Sequence, residues 1–128
     1  MPIVTLVGRR KDWRLLREAE VSETIAGNIV LTVGCIGPDG PTEHPTEEMI
    51  QACIKLHLEK IRMCDEVLLV SAVIGDDTIN DIVYAMRHRK PVRFYQLTHE
   101  SRMTIMDQIS DTGIRGTYSE GITSETQQ

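Results

Sequence analysis

The chain has 128 residues, of which 41% are hydrophobic, and a formal net charge of -5 at pH 7. This length is enough for one compact domain with a mostly aliphatic core. The acidic balance argues weakly against a nucleic acid polymer as a partner, because binding to a phosphate backbone needs concentrated Lys and Arg. It leaves a small nucleoside or nucleotide open.

Cysteine usage and the apolar segments indicate the cellular location. Cys35, Cys53 and Cys64 are odd in number and lie in or near apolar stretches, which is typical of free thiols in a reducing compartment. Residues 3–7 are too short and wrongly flanked for a signal peptide, and no stretch approaches membrane-spanning length. We therefore expect a cytoplasmic protein without a membrane partner.

The first half of the chain predicts two strands, each followed by a helix. Residues 2–7 form the first strand, and after a glycine break Asp12 can cap a helix that runs to about Ala26. Residues 29–33 form the second strand, and a Gly- and Pro-rich loop, 34–45, leads to a long helix that opens with acidic residues. His57 lies on the apolar stripe of that helix, where a hydrogen-bonded core histidine is the favoured interpretation.

The next stretch is the one around which the sheet is organised. Residues 67–74 are nearly all apolar and rich in β-branched side chains, which is typical of a central parallel strand buried on both faces. Gly75 ends the run. Three residues that favour the N-cap of a helix follow it, namely Asp76, Asp77 and Thr78. If Asp77 is the N-cap, Asp81 lies about one turn inside the helix.

The remaining residues predict one more strand, 92–95, and one more helix, 100–109, but no second domain. We expect a single domain over 1–110 and a partly ordered tail over 111–128, where Gly, Ser, Thr and Gln accumulate. Alternating strands and helices predict an α/β fold, a doubly wound parallel sheet of four to five strands in a three-layer α/β/α arrangement.

Open sheets of this kind bind ligands in the crevice at the carboxyl ends of their strands. The loops that meet there are residues 8–11, 34–45 and 75–81. Asp81 is the best candidate for chemistry, because a carboxylate in such a crevice can be a nucleophile or stabilise an oxocarbenium-like transition state. The competing interpretation is an acid in the first turn that only complements the helix dipole.

Other residues of the predicted crevice have binding roles. Gly8 permits close backbone approach, and Arg9 can hold a phosphate. Asp76 and Asp77 either cap the helix or orient a base or a sugar hydroxyl. The four histidines show no metal-ligand spacing with Cys or acids, so we expect neither a metal site nor a cofactor.

Four segments together resemble the nucleoside 2-deoxyribosyltransferase-like superfamily, in particular its small phage and actinobacterial members. They are VTLVG in the first strand, LHLEKIRMCDEVLLV at 56–70, GDDTINDIVYA at 75–85 and KPVRFY at 90–95. The resemblance covers roughly residues 3 to 95. It implies a flavodoxin-like (Rossmann-like) sheet, and homodimers or larger homo-oligomers whose sites borrow residues from a neighbour.

The resemblance also implies N-glycoside chemistry, because the superfamily includes deoxyribosyltransferases and hydrolases of nucleoside monophosphates. Asp81, in Asp-Ile-Val-Tyr-Ala, stands where the family carries its catalytic Glu. Asp77 stands where close relatives carry a Ser that helps to hold a 5′-phosphate. The substrate-binding residues that we predict beside the catalytic Asp81 are Gly8, Arg9, Gly34, Asp65, Gly75, Asp76, Asp77 and Thr78.

Two functions follow as hypotheses. The first is an N-glycosidic bond hydrolase or a deoxyribosyltransferase that acts on a small-molecule nucleoside or nucleoside monophosphate. The second is a nucleotide-binding sensor or sequestering protein with weakened catalysis, which Asp in place of Glu at 81 and Asp in place of Ser at 77 favour. A response-regulator receiver would need an acidic pair after the first strand, and Gly8, Arg9 and Arg10 do not supply it.

Overall fold

A computed structural model describes residues 1–33 and 46–113, together with the backbone of 122–124. The predicted alternation of strands and helices is confirmed. The elements are, in chain order, β1 (Ile3–Val7), α1 (Trp13–Ile25), β2 (Ile29–Leu31), α2 (Glu47–Met63), β3 (Glu66–Leu69), α3 (Asp76–Arg87), β4 (Val92–Phe94), α4 (His99–Ser110) and β5 (Ile122–Ser124).

The strands form one sheet in the order β2-β1-β3-β4-β5, and every pair of neighbours is parallel. The first connection runs from β1 to β2 at one edge of the sheet, and the second connection runs back past β1 to β3. The order therefore reverses between β1 and β3, which is the place where doubly wound sheets bind ligands. The predicted flavodoxin-like α/β fold is confirmed.

The described helices cover the two faces of the sheet unequally. Leu16 and Ala19 of α1 pack with Leu6 and Leu68 in one apolar cluster. A second, larger cluster on the opposite face joins β1, β3 and β4 to the other three helices through Ile61, Ile82, Ile105 and Ile109. This gives the three layers that the alternating pattern predicts, with one helix on one face and three on the other.

A group of three charged side chains lies between α1 and the sheet, namely Arg93, Glu23 and Glu66. The Arg93 guanidinium of β4 lies 2.6 Å from a carboxylate oxygen of Glu23 and 2.9 Å from one of Glu66. The amide of Asn28 donates a further hydrogen bond of 2.9 Å to Glu23, which is only 4% exposed. Buried charges are tolerated when they are paired and hydrogen-bonded in this way.

Several boundaries differ from the sequence prediction, and β2 and β4 end at Leu31 and Phe94, earlier than predicted. The third strand ends at Leu69, several residues earlier than predicted, because its register partners Val7 and Phe94 are the last residues of β1 and β4. Residues 122–124, which the sequence analysis assigned to a partly ordered tail, form a fifth strand beside β4. Their composition carries no strong strand pattern, and pairing with β4 supplies the hydrogen bonds.

Among the described residues, no helix is both long enough and apolar enough to cross a membrane. Gly34, Cys35 and His44 lie outside the described residues, as does the rest of the loop between β2 and α2.

Candidate functional site

Helix α3 begins two residues earlier than it would with Asp77 as the N-cap, and this sets the position of Asp81. Gly75 occupies the N-cap position, with extended backbone and no side-chain cap, and Asp76 is the first helical residue. Asp76 and Asp77 are thus first-turn acids near the positive end of the helix dipole, and neither is the cap. Asp81 lies about one and a half turns inside the helix, at 3.6 residues per turn.

The Asp81 carboxyl is held mostly away from water. Its side chain is 22% exposed, so it is neither sealed in the core nor directed into bulk solvent. Burial raises the pKa of Asp81, and the negative charge of Asp77, one helical turn earlier, raises it further, to about 7. The carboxyl is therefore close to half-protonated at neutral pH.

His57 of α2 is the described neighbour that faces this carboxyl. Its Nε2 lies 3.5 Å from Oδ2 of Asp81, and its side chain is only 9% exposed. Neither ring nitrogen has a hydrogen-bond partner among the described residues. The predicted burial of His57 is confirmed, but the prediction of a hydrogen-bonded core histidine is wrong, because the 3.5 Å contact with the carboxyl forms no hydrogen bond.

The imidazole of His57 is neutral at physiological pH. Burial lowers its pKa, and the positive charge of Lys60 on the same helix lowers it further, to about 4. The contact with Asp81 at pH 7 is therefore between a neutral ring and a carboxyl that carries a proton about half of the time. Such a pair can hold one proton on Asp81 and leave a carboxylate there when that proton is lost. A carboxyl that changes in this way can act as a general acid or as a nucleophile.

A second polar group joins the ends of β1 and β3, where the strand order reverses. The backbone N–H of Arg9 donates a hydrogen bond of 2.8 Å to Oγ of Ser71. The guanidinium of Arg9 lies 3.1 Å from the carboxylate of Asp12. A Cβ at Gly8 would lie 2.7 Å from the same Ser71 Oγ, so the absence of a side chain at Gly8 lets the residue just beyond β3 approach the backbone. The approach of a ligand to Gly8 stays a prediction.

Asp12 has a different role from the predicted helix cap. Its side chain accepts no capping hydrogen bond from α1. Burial raises its pKa, but hydrogen bonds from Arg9 and Ser71 outweigh that effect and leave the pKa below its ordinary value. The charged carboxylate therefore fixes the Arg9 guanidinium, whose side chain remains 37% exposed, at the carboxyl edge of the sheet.

Asp65 is the predicted site residue that the structure places elsewhere. It precedes β3 at the amino-terminal edge of the sheet, and its carboxylate accepts a hydrogen bond of 2.7 Å from the backbone N–H of Ile3. Parallel strands present their amino and carboxyl ends at opposite edges of a sheet. Asp65 therefore ties β1 to β3 at the edge opposite Asp81, and this position does not support a substrate contact.

The other predicted residues surround the start of α3. Thr78 is buried, with 4% exposure, and its side chain belongs to the packing of the helix. Asp76 lines an open groove of about 460 Å³ between α3 and α4. That groove is lined by Asp76, Ile79, Asn80, Gln108, Asp111 and Thr112.

The structure thus assembles two groups, Asp77, Asp81 and His57 between α2 and α3, and Gly8, Arg9, Asp12 and Ser71 at the strand ends. Sequence reasoning missed Ser71, because a lone Ser inside an apolar run carries no pattern. It named His57 but assigned it to the core. Among the described residues, no three His, Cys, Asp or Glu side chains come together as metal ligands do.

No protein-family profile and no curated protein sequence matches the chain. Solved structures do match. One is a 2-deoxyribosyltransferase from the psychrotolerant bacterium Bacillus psychrosaccharolyticus, at 19% identity and a TM-score of 0.56, covering 72% of this chain and 70% of that one. Another is a conserved protein from Enterococcus faecalis V583, at 12% identity and a TM-score of 0.54, covering 98% and 92%. The chain therefore has the fold of a 2-deoxyribosyltransferase.

Proposed function

We propose that the protein is an enzyme that cleaves or transfers the N-glycosidic bond of a (deoxy)nucleoside or nucleoside monophosphate. The observation that carries this proposal is the position of the Asp81 carboxyl. Asp81 lies on α3, the helix that follows the central strand, and its side chain is 22% exposed and faces His57 of α2. The likeness of the fold to a 2-deoxyribosyltransferase supports the same chemistry. The resemblance of the 75–85 segment to the family's catalytic segment is a further, independent support.

The chemistry asks for a carboxylate next to the anomeric carbon. As the base departs with the electrons of the C1′–N bond, C1′ gains positive charge, and a nearby carboxylate stabilises it or bonds to it. Water then completes a hydrolysis, and a second base completes a transfer. Limited exposure strengthens this electrostatic stabilisation, because the attraction between charges rises as the effective dielectric constant falls.

Arg9 supplies the recognition of a phosphate in this proposal. Asp77 would repel a phosphate beside α3, whereas the Arg9 guanidinium is positioned by Asp12 and remains partly exposed. Arg is well suited to phosphate because its planar donors can bind two oxygens at once. Gly8 admits the Ser71 hydroxyl beside the backbone and so helps to position Arg9, and Gly75 and Thr78 shape the start of α3.

A panel of nucleosides, deoxynucleosides and their 5′-monophosphates tests the activity, with release of free base followed by chromatography. Asp81→Asn keeps the size of the side chain and removes the carboxylate, and we expect a loss of at least about 100-fold in kcat. Asp107→Asn, on the exposed surface of α4, is the matched control. Turnover that survives Asp81→Asn and Asp81→Ala unchanged rejects the role of Asp81.

One observation favours a second candidate, a nucleotide-binding sensor or sequestering protein on the same scaffold. The raised pKa of Asp81, about 7, leaves a substantial fraction of the carboxyl protonated and unable to attack. A ligand that raises the melting temperature without any release of base would favour this candidate, since binding to the folded state alone stabilises it.

We also propose a homodimer or larger homo-oligomer, as the family resemblance implies. Met49, Leu56 and Met63 are seven residues apart and so lie along one side of α2. They are 36%, 58% and 62% exposed. An exposed apolar row on one helix supports a contact between subunits.

A further inference from the structure

We propose that His57 is the proton acceptor of Asp81, a positioning residue that takes up the carboxyl proton so that a carboxylate faces the sugar. This inference rests on the proposed function and deepens it. It begins from the two nitrogens of His57, which are buried and without a hydrogen-bond partner among the described residues. Buried polar atoms in native proteins are nearly always hydrogen-bonded, so an unpaired buried ring indicates a partner that forms during function.

Among the residues that the structure describes around the ring, Asp81 is the group that can serve. On its own helix, Lys60 is the charged neighbour, and its Nζ is already bound to the backbone oxygen of Thr32 at 2.8 Å. The β1 residues packed beneath α2 carry no charge. Thr5 is a neutral side chain whose hydroxyl donates to the Lys60 carbonyl, and Val7 is apolar. From α3 the titratable groups are Asp81, at 3.5 Å, and Asp77 behind it.

The charges on both sides of the contact keep the resting pair neutral. Lys60 opposes a positive charge on His57, and Asp77 opposes a negative charge on Asp81. Over the pH range between the two pKa values, the pair therefore holds one proton, and that proton resides on the carboxyl. A protonated carboxyl cannot attack C1′, so at and below a pH of about 7 the protonated fraction of Asp81 becomes active when an acceptor within reach takes the proton.

The step itself is a proton transfer. The O–H bond at Oδ2 of Asp81 breaks and leaves its electron pair on the oxygen, and an N–H bond forms at the lone pair of His57 Nε2. This requires the neutral tautomer with its proton on Nδ1. The 3.5 Å separation must shorten by less than about 1 Å to reach hydrogen-bond distance, which side-chain rotation can provide. Positive charge developing at C1′ favours the transfer, because it stabilises the new carboxylate.

The pH profile of His57→Phe separates this role from a structural one. Without the acceptor, turnover requires Asp81 to lose its proton to solvent, and that fraction falls about tenfold per pH unit below a pKa of about 7. We expect the ratio of variant to wild-type kcat to be about a hundredfold lower at pH 5 than at pH 9. His99→Phe, at the exposed start of α4, is the control. A ratio that does not change with pH overturns the proposal.

Titration of the ligand-free protein by carbon-13 NMR tests the same pair without any turnover. The amide of a Gln can donate a hydrogen bond to the Asp81 carboxylate, which the lone pair of a neutral Nε2 cannot do. We expect His57→Gln to lower the pKa of Asp81 by at least about one unit, with His99→Gln leaving it unchanged. An Asp81 titration identical in wild type and His57→Gln overturns the proposal, even if base release is observed. The shift without any base release would instead refute the proposed function and leave the pair intact.

Discussion

Ser71 and Arg9 are joined by a hydrogen bond of 2.8 Å, from the backbone N–H of Arg9 to the hydroxyl of Ser71, at the place where β1 and β3 end side by side. A Cβ added at Gly8 would lie only 2.7 Å from the same hydroxyl oxygen. The fit between Gly8 and Ser71 therefore holds the carboxyl edge of the sheet in one arrangement.

Gly8→Ala should destabilise the protein by about 1–3 kcal/mol through this clash. Ser71→Ala should cost about 1 kcal/mol through the lost hydrogen bond. We expect the double variant to lose less than the sum, because removal of the hydroxyl relieves the clash. Urea unfolding of the four proteins measures the coupling. Additive losses would contradict this relationship.

A specific pH dependence of stability follows from Asp81 and His57. The folded-state pKa of Asp81 is raised from 3.8 to about 7, so the folded protein holds a proton that the unfolded chain releases. Its contribution to the free energy of unfolding is therefore lost as the pH rises from about 4 to 7. The pKa of His57 is lowered from 6.5 to about 4, so its contribution increases as the pH rises from about 4 to 6.5. The two slopes nearly cancel in the wild type.

Removing either side chain should leave only the pH dependence that the other gives to the free energy of unfolding. Relative to the wild type, Asp81→Asn should gain stability as the pH rises from 4.5 to 6.5, and His57→Gln should lose it. Each slope approaches about 1.4 kcal/mol per pH unit at most. Urea unfolding at pH 4.5, 5.5 and 6.5 provides the measurement. Variants whose stability runs parallel to that of the wild type would show that these two groups do not titrate as stated.

The buried ion group of the α1 layer gives a prediction of larger size. Arg93→Met removes the guanidinium and leaves Glu23, whose side chain is only 5% exposed, without its charged partner. We expect a loss of about 3–5 kcal/mol in the free energy of unfolding. Arg62→Met breaks a pair with Glu59 in which both side chains are more than half exposed, and should cost at most about 1 kcal/mol. Equal losses in the two variants would contradict the argument.

Arg9 should separate phosphorylated from unphosphorylated substrates. Arg9→Gln is expected to lower kcat/KM for a 5′-monophosphate by about 10-fold or more, since a charged hydrogen bond contributes about 1.5–3 kcal/mol, and to leave the nucleoside nearly unaffected. Arg10→Gln, at the exposed neighbouring position, is the control. A loss that is equal for both substrates would remove Arg9 from phosphate recognition.

The apolar row on α2 predicts an effect on assembly. Leu56→Lys places a charge in the middle of the row of Met49, Leu56 and Met63, where desolvation of the ammonium would oppose any contact between subunits. We expect a smaller species by light scattering coupled to size-exclusion chromatography, with unchanged circular dichroism. Lys55→Glu, an exposed change on the same helix beside the row, is the control. An unchanged mass in Leu56→Lys would locate the interface elsewhere.

The sequence predicts the layers well because the relevant signal is local. The apolar run before Gly75 and the helical spacing of Ile82 and Met86 follow directly from burial on a sheet. Strand ends and caps are less predictable. The end of β3 depends on where β1 and β4 stop, and the N-cap position of Gly75 depends on the path of the preceding turn.

The candidate site was predictable only where one element carries it. Asp81 and Asp77 share a helix, and their spacing is visible in the sequence. His57 reaches Asp81 from a different helix, so that only packing brings the two together. Asp65 illustrates the opposite error, because a carboxylate near a central strand looks promising until the strand's direction places it at the far edge.

The short β5 strand has a practical meaning for anyone who trims this protein. Its three residues pair with Val92, Arg93 and Phe94 and occupy the hydrogen-bonding side of β4 that faces away from β3. A chain shortened after Ser110 would make β4 the edge strand of the sheet. The unpaired N–H and C=O groups of an edge strand can pair with strands of other molecules. Residues 122–124, which look dispensable by composition, thus complete the hydrogen bonding of β4 and themselves form the outer strand of the sheet.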